Sequence, residues 1–236
     1  MLEFRSVSKK YPYEKFALIE DLSFTLEENE VLGIVTEKQC GKSTVAKLIA
    51  GLQKCSSGEI LLDGKPLGQT QPKNRGFAVI YDDFALLKNR RYLTNAAYTL
   101  KIRGVKKKER EESALKALEK FGLAEKAGFR IKKKTPAEDK LALVLARASL
   151  REARLVVFDD VFKSAGRDYA KRLTELFCAG NGFAQVYLSS DITELNFCGR
   201  VIVVADGKNV FCGTPDGAEK FIESSHCFDI LYGVAQ

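Results

Sequence analysis

The sequence predicts an α/β fold, a mostly parallel sheet with helices on its faces, carrying one all-helical insertion. Three observations predict it. Short apolar runs at residues 31–35, 155–158, 184–188 and 201–204 have the length and composition of buried strands, and stretches of helical spacing separate them. From about residue 93 to 151 the pattern changes to charged, amphipathic helices with no good strand candidate. A turn-rich segment, residues 36–41, joins the first buried strand to a helix, the arrangement of a phosphate loop.

In chain order, residues 2–7 read as a strand, followed by the alternating Leu22, Phe24 and Leu26 and then Val31-Leu32-Gly33-Ile34-Val35. Residues 42–52 place Val45, Leu48, Ile49 and Leu52 at helical spacing. Gly58-Glu59-Ile60-Leu61-Leu62 is a strand ending in the turn Asp63-Gly64, and residues 76–81 form another. After the helical insertion, the strands at 155–158, 184–188 and 201–204 complete the sheet. Asp206-Gly207 then turns a hairpin into Val210-Phe211-Cys212, and Pro215 opens a short final helix. There is no internal repeat.

At 236 residues the chain can form one domain with an inserted lobe and bury a sizeable core. Its 29% charged and 45% hydrophobic residues suit a folded globular protein rather than a disordered one. No run approaches the roughly 18 apolar residues of a membrane span, and the first residues lack the apolar stretch of a signal peptide. The chain is therefore expected in the cytoplasm, held at the membrane only by a partner. Six cysteines without a Cys-x-x-Cys pair indicate neither a zinc site nor a disulfide framework. The single histidine, His226, leaves no His-based triad. A net charge of +7 with runs at Lys106-Lys107-Lys108 and Lys132-Lys133-Lys134 could serve an anionic membrane or nucleic acid. Neither run is interleaved with stacking aromatics, so a solvated face is the expectation and nucleic acid is not an expected partner.

The densest chemistry lies in Gly41-Lys42-Ser43-Thr44, at a strand-to-helix turn. In a phosphate loop, backbone N–H groups and the helix N-terminus surround the phosphates, the lysine reaches the β- and γ-phosphates and the serine hydroxyl takes Mg²⁺. Thr36, Glu37, Lys38, Gln39, Cys40, Gly41, Lys42, Ser43 and Thr44 are thus the candidate nucleotide-binding segment. Thr36 holds the position of the motif's first glycine, and a β-branched residue there is expected to strain or reshape the loop. Cys40 allows a redox switch, but a small residue there is simply what the turn accommodates, and that is the expectation. The apolar strand ending in Asp159 supplies the carboxylate that P-loop proteins use to orient Mg²⁺ through water.

With these residues in place the sequence resembles the ATP-binding cassette (ABC) family over about residues 1–219. The resemblance rests on Tyr11, where the family has an aromatic stacked on adenine, and on Leu48-Ile49-Ala50-Gly51-Leu52 and Ser57-Gly58-Glu59-Ile60 with Asp63-Gly64. It continues in Asn95-Ala96, Leu145-Ala146-Arg147-Ala148 and Asp206-Gly207-Lys208 with Gly213-Thr214-Pro215. It implies a P-loop NTPase of the ABC cassette type: a mixed sheet core, an N-terminal antiparallel β region and an inserted helical subdomain. The single domain, 1–236, would divide into a core of about 1–84 and 153–225, a helical part of about 85–152 and a tail of 226–236. Implied cofactors are ATP and Mg²⁺. Implied partners are a second cassette, in a homo- or heterodimer, and a membrane permease docked on the helical lobe.

Several positions depart from the family pattern. The glutamine that touches Mg²⁺ and the attacking water is matched by Asp82, which either chelates Mg²⁺ more strongly or repels the γ-phosphate. The Leu-Ser-Gly-Gly-Gln signature is matched by Thr135-Pro136-Ala137-Glu138-Asp139. That reads as a self-capping helix start, with Thr135 and Glu138 as a capping box and Pro136 at the first helical position, and with carboxylates where a phosphate would arrive. The catalytic glutamate is matched by the shorter Asp160, and the histidine that contacts the γ-phosphate by the uncharged Ser190. Metal-contacting candidates are thus Ser43, Asp82 and Asp159, and the eroded catalytic pair is Asp160 and Ser190. Three readings follow: a coupling subunit that binds MgATP with weak or lost hydrolysis, a working ATPase with Asp160 as base, and a non-transport ATP-binding regulator.

Overall fold

The computed structural model describes residues 1–37, 41–179 and 182–225, so the expectations placed on Lys38, Gln39, Cys40 and the tail with His226 lie outside the described residues. The chain forms two compact units: Met1–Val79 with Arg154–Asp159 and Gly182–Gln236, and Ile80–Ala153 with Asp160–Asn181.

The first unit holds both sheets. In the smaller, β1 (Leu2–Lys9) lies between β2 (Ile19–Leu26) and β4 (Ser57–Leu62), antiparallel to each, and β4 pairs the two-residue β5 (Lys65–Pro66). Inward residues alternate as a half-buried antiparallel sheet requires: Leu22, Phe24 and Leu26 are buried, and Phe4 stacks on Phe24 at 4.4 Å. The larger sheet runs β10 (Lys208–Gly213), β9 (Arg200–Ala205), β3 (Val31–Thr36), β8 (Ala184–Ser189), β7 (Leu155–Asp159) and β6 (Phe77–Ile80). β3 is parallel to β8 and β9, and β7 is parallel to β8. These strands are continuous apolar runs because parallel strands are covered on both faces, and every residue of β7 is buried. The turns Asp63-Gly64 and Asp206-Gly207 both take positive φ at each residue, the type I′ geometry that matches strand twist.

Helix α1 (Lys42–Ala50) packs Val45, Ala46, Leu48 and Ile49 inward, in contact with β7 and β8. It ends at Gly51, whose φ of 75° and N–H bond to the Leu48 carbonyl form a left-handed cap. Arg75 completes that cap from a distance in sequence. Its guanidinium is 6% exposed and donates to the carbonyls of Leu48, Ile49, Leu67 and Thr70 at 2.8–3.2 Å. A Cβ on Gly51 would lie 2.2 Å from the Arg75 guanidinium carbon, so the glycine also makes room for the arginine.

The second unit is helical: α2 (Tyr92–Ala96), α3 (Tyr98–Ile102), α4 (Lys107–Lys120), α5 (Ala137–Ser149), α6 (Val161–Ala165) and α7 (Arg167–Cys178). α5 is its centre. It buries every residue from Leu141 to Ala146 and packs against α2, α4, α6 and α7, as expected of a helix whose middle stretch is apolar on every face. The only β-pairing described within the insertion is an isolated antiparallel bridge, Arg91 to Arg130.

Candidate functional site

In the first unit the register of the large sheet brings the phosphate-loop residues together. Val35 of β3 stands opposite Ser189 of β8, and Leu188 of β8 stands opposite Asp159 of β7. Thr36 and Ser190 lie at the carboxyl ends of β3 and β8, and Asp159, level with Leu188, ends the adjacent parallel β7, at the edge where open α/β sheets bind ligands. The chain leaves that edge through Gly41, which caps the N-terminus of α1 at φ 87°. A Cβ there would come within 3.0 Å of the Leu18 carbonyl, so glycine is required by backbone and space alike. Lys42 and Ser43 open the helix: Lys42 is buried and Ser43 is exposed. A lysine at the positive end of a helix dipole makes a site suited to an anion.

The structure corrects one expectation here. Thr36 itself is not strained: it is the last residue of β3, fully buried and paired with Val204 of β9, and it does not adopt positive φ. Its hydroxyl donates to the Glu37 carbonyl at 2.9 Å. The strand runs one residue further than the apolar pattern suggested, and in extended backbone a β-branched residue is favoured. Tyr11 is anchored by its hydroxyl, which hydrogen-bonds Gln53 and lies 3.3 Å from Thr44 Oγ1, and Lys9 Nζ sits 5.1 Å from its ring centroid. Tyr11 thus touches the helix that carries Lys42 and Ser43, with one ring face already covered by a cation. Asp159 is 2% exposed. A hydroxyl and a carboxylate, both hard oxygen donors, suit Mg²⁺, which keeps several waters and takes few protein ligands.

In the second unit Asp82 is exposed. Asp160 caps α6 in the left-handed region, φ 52° and ψ 33°, and is half-buried. Between Asp82 and α2, Phe84 and Ala85 both hold positive φ, at 59° and 41°. Two non-glycine residues in succession are costly there and must be held by their surroundings. Arg147 of α5 supplies the hold, donating to the Ala85 carbonyl at 2.9 Å and the Phe84 carbonyl at 3.1 Å. The Asn95 side chain, fully buried, closes the far side by accepting the Leu87 N–H at 2.7 Å and donating to the Leu87 and Arg91 carbonyls. Sequence reasoning assigned no role to either residue.

The capping box predicted at Thr135 does not form. α5 begins at Ala137 with Pro136 in the cap position, no side chain caps the helix, and the Thr135 hydroxyl accepts the Lys132 N–H at 2.9 Å instead. The residue before a proline is biased to extended backbone, which places Thr135 outside the helix. Of the two carboxylates in the first turn, Asp139 is held within the unit: Lys126 Nζ lies 2.8 Å from both its oxygens and Tyr92 donates to it at 2.9 Å. Burial, then the Asp139 carboxylate, push the Tyr92 phenol above its ordinary range. Glu138, the other, is exposed. Tyr92→Phe is expected to cost about 1–2 kcal/mol by removing a charge-assisted hydrogen bond while Lys126 stays. Denaturant unfolding checks this, and an unchanged midpoint would show that the contact contributes nothing.

A family model described as ABC transporter matches residues 19–163. The chain is 30% identical over 97% of its length to a Fe(3+) ions import ATP-binding protein, FbpC, of Rhizobium etli, covering 65% of that protein. It is 27% identical over 91% of its length to a sn-glycerol-3-phosphate import ATP-binding protein, UgpC 1, of Rhizobium johnstonii, covering 58%. The chain thus spans about three fifths of the length of these curated relatives. Among solved structures, a dimeric ATP-binding cassette in a post-hydrolysis state bound to ADP and Pi superposes with a TM-score of 0.82 at 20% identity, over 91% of this chain and 99% of that one. A bacterial Atm1-family ABC exporter with ATP bound superposes with a TM-score of 0.81 at 16% identity, over all of this chain and 42% of that one. With its P-loop NTPase core, mixed sheet and inserted helices, the chain belongs to the ABC transporter family and has the fold of its ATP-binding cassette.

Proposed function

We propose that the chain is the nucleotide-binding subunit of an ABC transporter, binding MgATP and coupling to a membrane permease, with hydrolysis weak or lost. The observation that carries this reading is the register that sets the exit of β3 toward Lys42, the Asp159 carboxylate and Ser190 at one edge of one sheet. In this reading the N–H groups at the start of α1 and the Lys42 ammonium bind the β- and γ-phosphates. Ser43 and Asp159 would hold Mg²⁺, the latter through water, and the ion supplies charge neutralisation at the phosphate oxygens. Tyr11 meets the adenine with the ring face that Lys9 leaves open.

The erosion of the remaining groups supports weak turnover. Asp160 is a methylene shorter than a glutamate, and a general base acts within about 2.6–3.2 Å of its proton. Ser190 brings a hydroxyl and no positive charge. A second cassette completes the site in this reading, each contributing a signature to the other's nucleotide. Here that segment offers Glu138 in place of a bare serine-bearing helix end. Both contributions of this chain are therefore impaired, whichever cassette it pairs with. No helix of the described residues is long and apolar enough to cross a membrane; in this reading the permease holds the chain at its cytoplasmic face.

Steady-state hydrolysis by the purified chain, with Asp160→Asn as control, tests the reading. The expected rate is at least about 100-fold below the enzyme median of roughly 10 s⁻¹. Ordinary turnover abolished in the control would identify a working ATPase with Asp160 as its base.

A further inference from the structure

In the first unit the residues leaving β1 are stitched to the segment 53–56, just beyond the end of α1. The Lys9 ammonium donates to the Lys54 carbonyl at 2.8 Å. The Lys10 N–H donates to the Ser56 hydroxyl at 3.1 Å, and that hydroxyl donates back to the Lys10 carbonyl at 3.2 Å. The Tyr11 hydroxyl donates to Gln53 Oε1. Of these, the Tyr11–Gln53 bond alone joins side chain to side chain, so it acts on the direction of the aromatic ring rather than on the path of the chain.

Gln53 Oε1 can only accept, so the phenol proton is committed to it and the Tyr11 oxygen keeps its lone pairs. The Thr44 hydroxyl, 3.3 Å away, is therefore the donor in that contact. A one-way relay results, from Thr44 to Tyr11 to Gln53, joining the first turn of α1 to the segment past its end. The acceptor stands on a fixed base: the Gln53 N–H donates to the Lys47 carbonyl in the last turn of α1 at 3.3 Å. Beyond Tyr11 the loop turns its aromatics to solvent, with Tyr13 fully exposed and Phe16 84% exposed. The Tyr11 ring, half-buried, thus depends on its hydroxyl and on Lys9 for its direction.

We propose that Gln53 is a positioning residue for the nucleobase, acting through the Tyr11 ring. This deepens the nucleotide reading and rests on it, since Tyr11 is there the surface on which the adenine stacks. With Lys9 Nζ 5.1 Å from the ring centroid on one face, a base can meet only the other, and the bond to Gln53 decides where that face points. A ring already held spends less side-chain entropy when the base arrives, which is affinity gained by pre-organisation.

The test is calorimetric titration of the full chain with MgATP and with magnesium tripolyphosphate, which carries phosphates and no base. Gln53→Leu is expected to weaken MgATP binding about three- to tenfold, the range of one hydrogen bond, and to leave tripolyphosphate within about twofold. A merely structural bond would not separate the two ligands. Tyr11→Phe should match that loss, and the double variant should lose no more than either single one, because both remove the same bond. Gln53→Glu keeps an acceptor and should recover most of the affinity, and thermal melting shows that the variants fold. No loss in Gln53→Leu, tighter MgATP binding by it, equal losses on the two ligands, or additive losses in the double variant would each overturn the inference and leave the nucleotide reading standing. So would a wild-type chain that binds tripolyphosphate as tightly as MgATP. Binding of neither ligand by the wild-type chain would overturn both.

Discussion

Lys42→Ala is expected to weaken MgATP binding by at least about 100-fold in a calorimetric titration, with the fold intact. Lys42 is 8% exposed at the first turn of α1, where the helix dipole already favours an anion. Truncating one partner of a buried, hydrogen-bonded charge pair costs about 2–5 kcal/mol, or roughly 30- to 5000-fold in affinity. The alanine keeps helix propensity, so circular dichroism should not change. Binding by the variant within a few-fold of wild type would move the nucleotide away from this loop. An absence of binding in both proteins would leave a structural cassette without a nucleotide.

Arg75→Ala is expected to be the most destabilising of the substitutions considered. The guanidinium is buried and satisfies four carbonyls, two at the end of α1 and two in the turn at Leu67–Thr70. Burial lowers its pKa, yet an arginine starting so high stays charged, so the carbonyls face a permanent cation. The Leu48 and Leu67 carbonyls keep the N–H groups of Gly51 and Thr70, but those of Ile49 and Thr70 lose their donor, and a buried acceptor left without one costs about 1–3 kcal/mol beyond the charge-assisted bonds lost at the other two. A total of about 4–5 kcal/mol at 2–4 °C per kcal/mol for a chain of this size lowers the melting temperature by roughly 10–15 °C. Arg75→Lys should recover only part of it, because one ammonium cannot span four carbonyls fixed in a fork. A shift under a few degrees would show that solvent replaces the guanidinium easily.

The sheet was legible in the sequence because parallel strands covered on both faces read as unbroken apolar runs, as at 155–158 and 201–204, and because Asp63-Gly64 and Asp206-Gly207 name their own turn type. The phosphate loop was legible for the same reason: Gly41 is required by its backbone angle, and Lys42 and Ser43 follow in fixed order. What escaped were contacts between residues distant in sequence. Nothing local to Arg75 shows that it caps α1, and nothing local to Arg147 or Asn95 shows that they hold the turn at Phe84 and Ala85. Thr135 misled for a different reason. Its spacing to Glu138 fits a capping box, but Pro136 displaced it from the helix and its hydroxyl found a nearer donor.

The grip of Arg147 on the Phe84–Ala85 turn has a mechanical meaning. The guanidinium ties the carbonyls of those residues to α5, beside the Asp83 and Asn95 contacts on the same turn, so α5 and the turn after Asp82 would move as a lever with its pawl. Tilting the helix drags the turn with it, and releasing the turn lets it relax toward ordinary backbone angles. Such a linkage would carry displacement within the second unit without any bond to phosphate being broken.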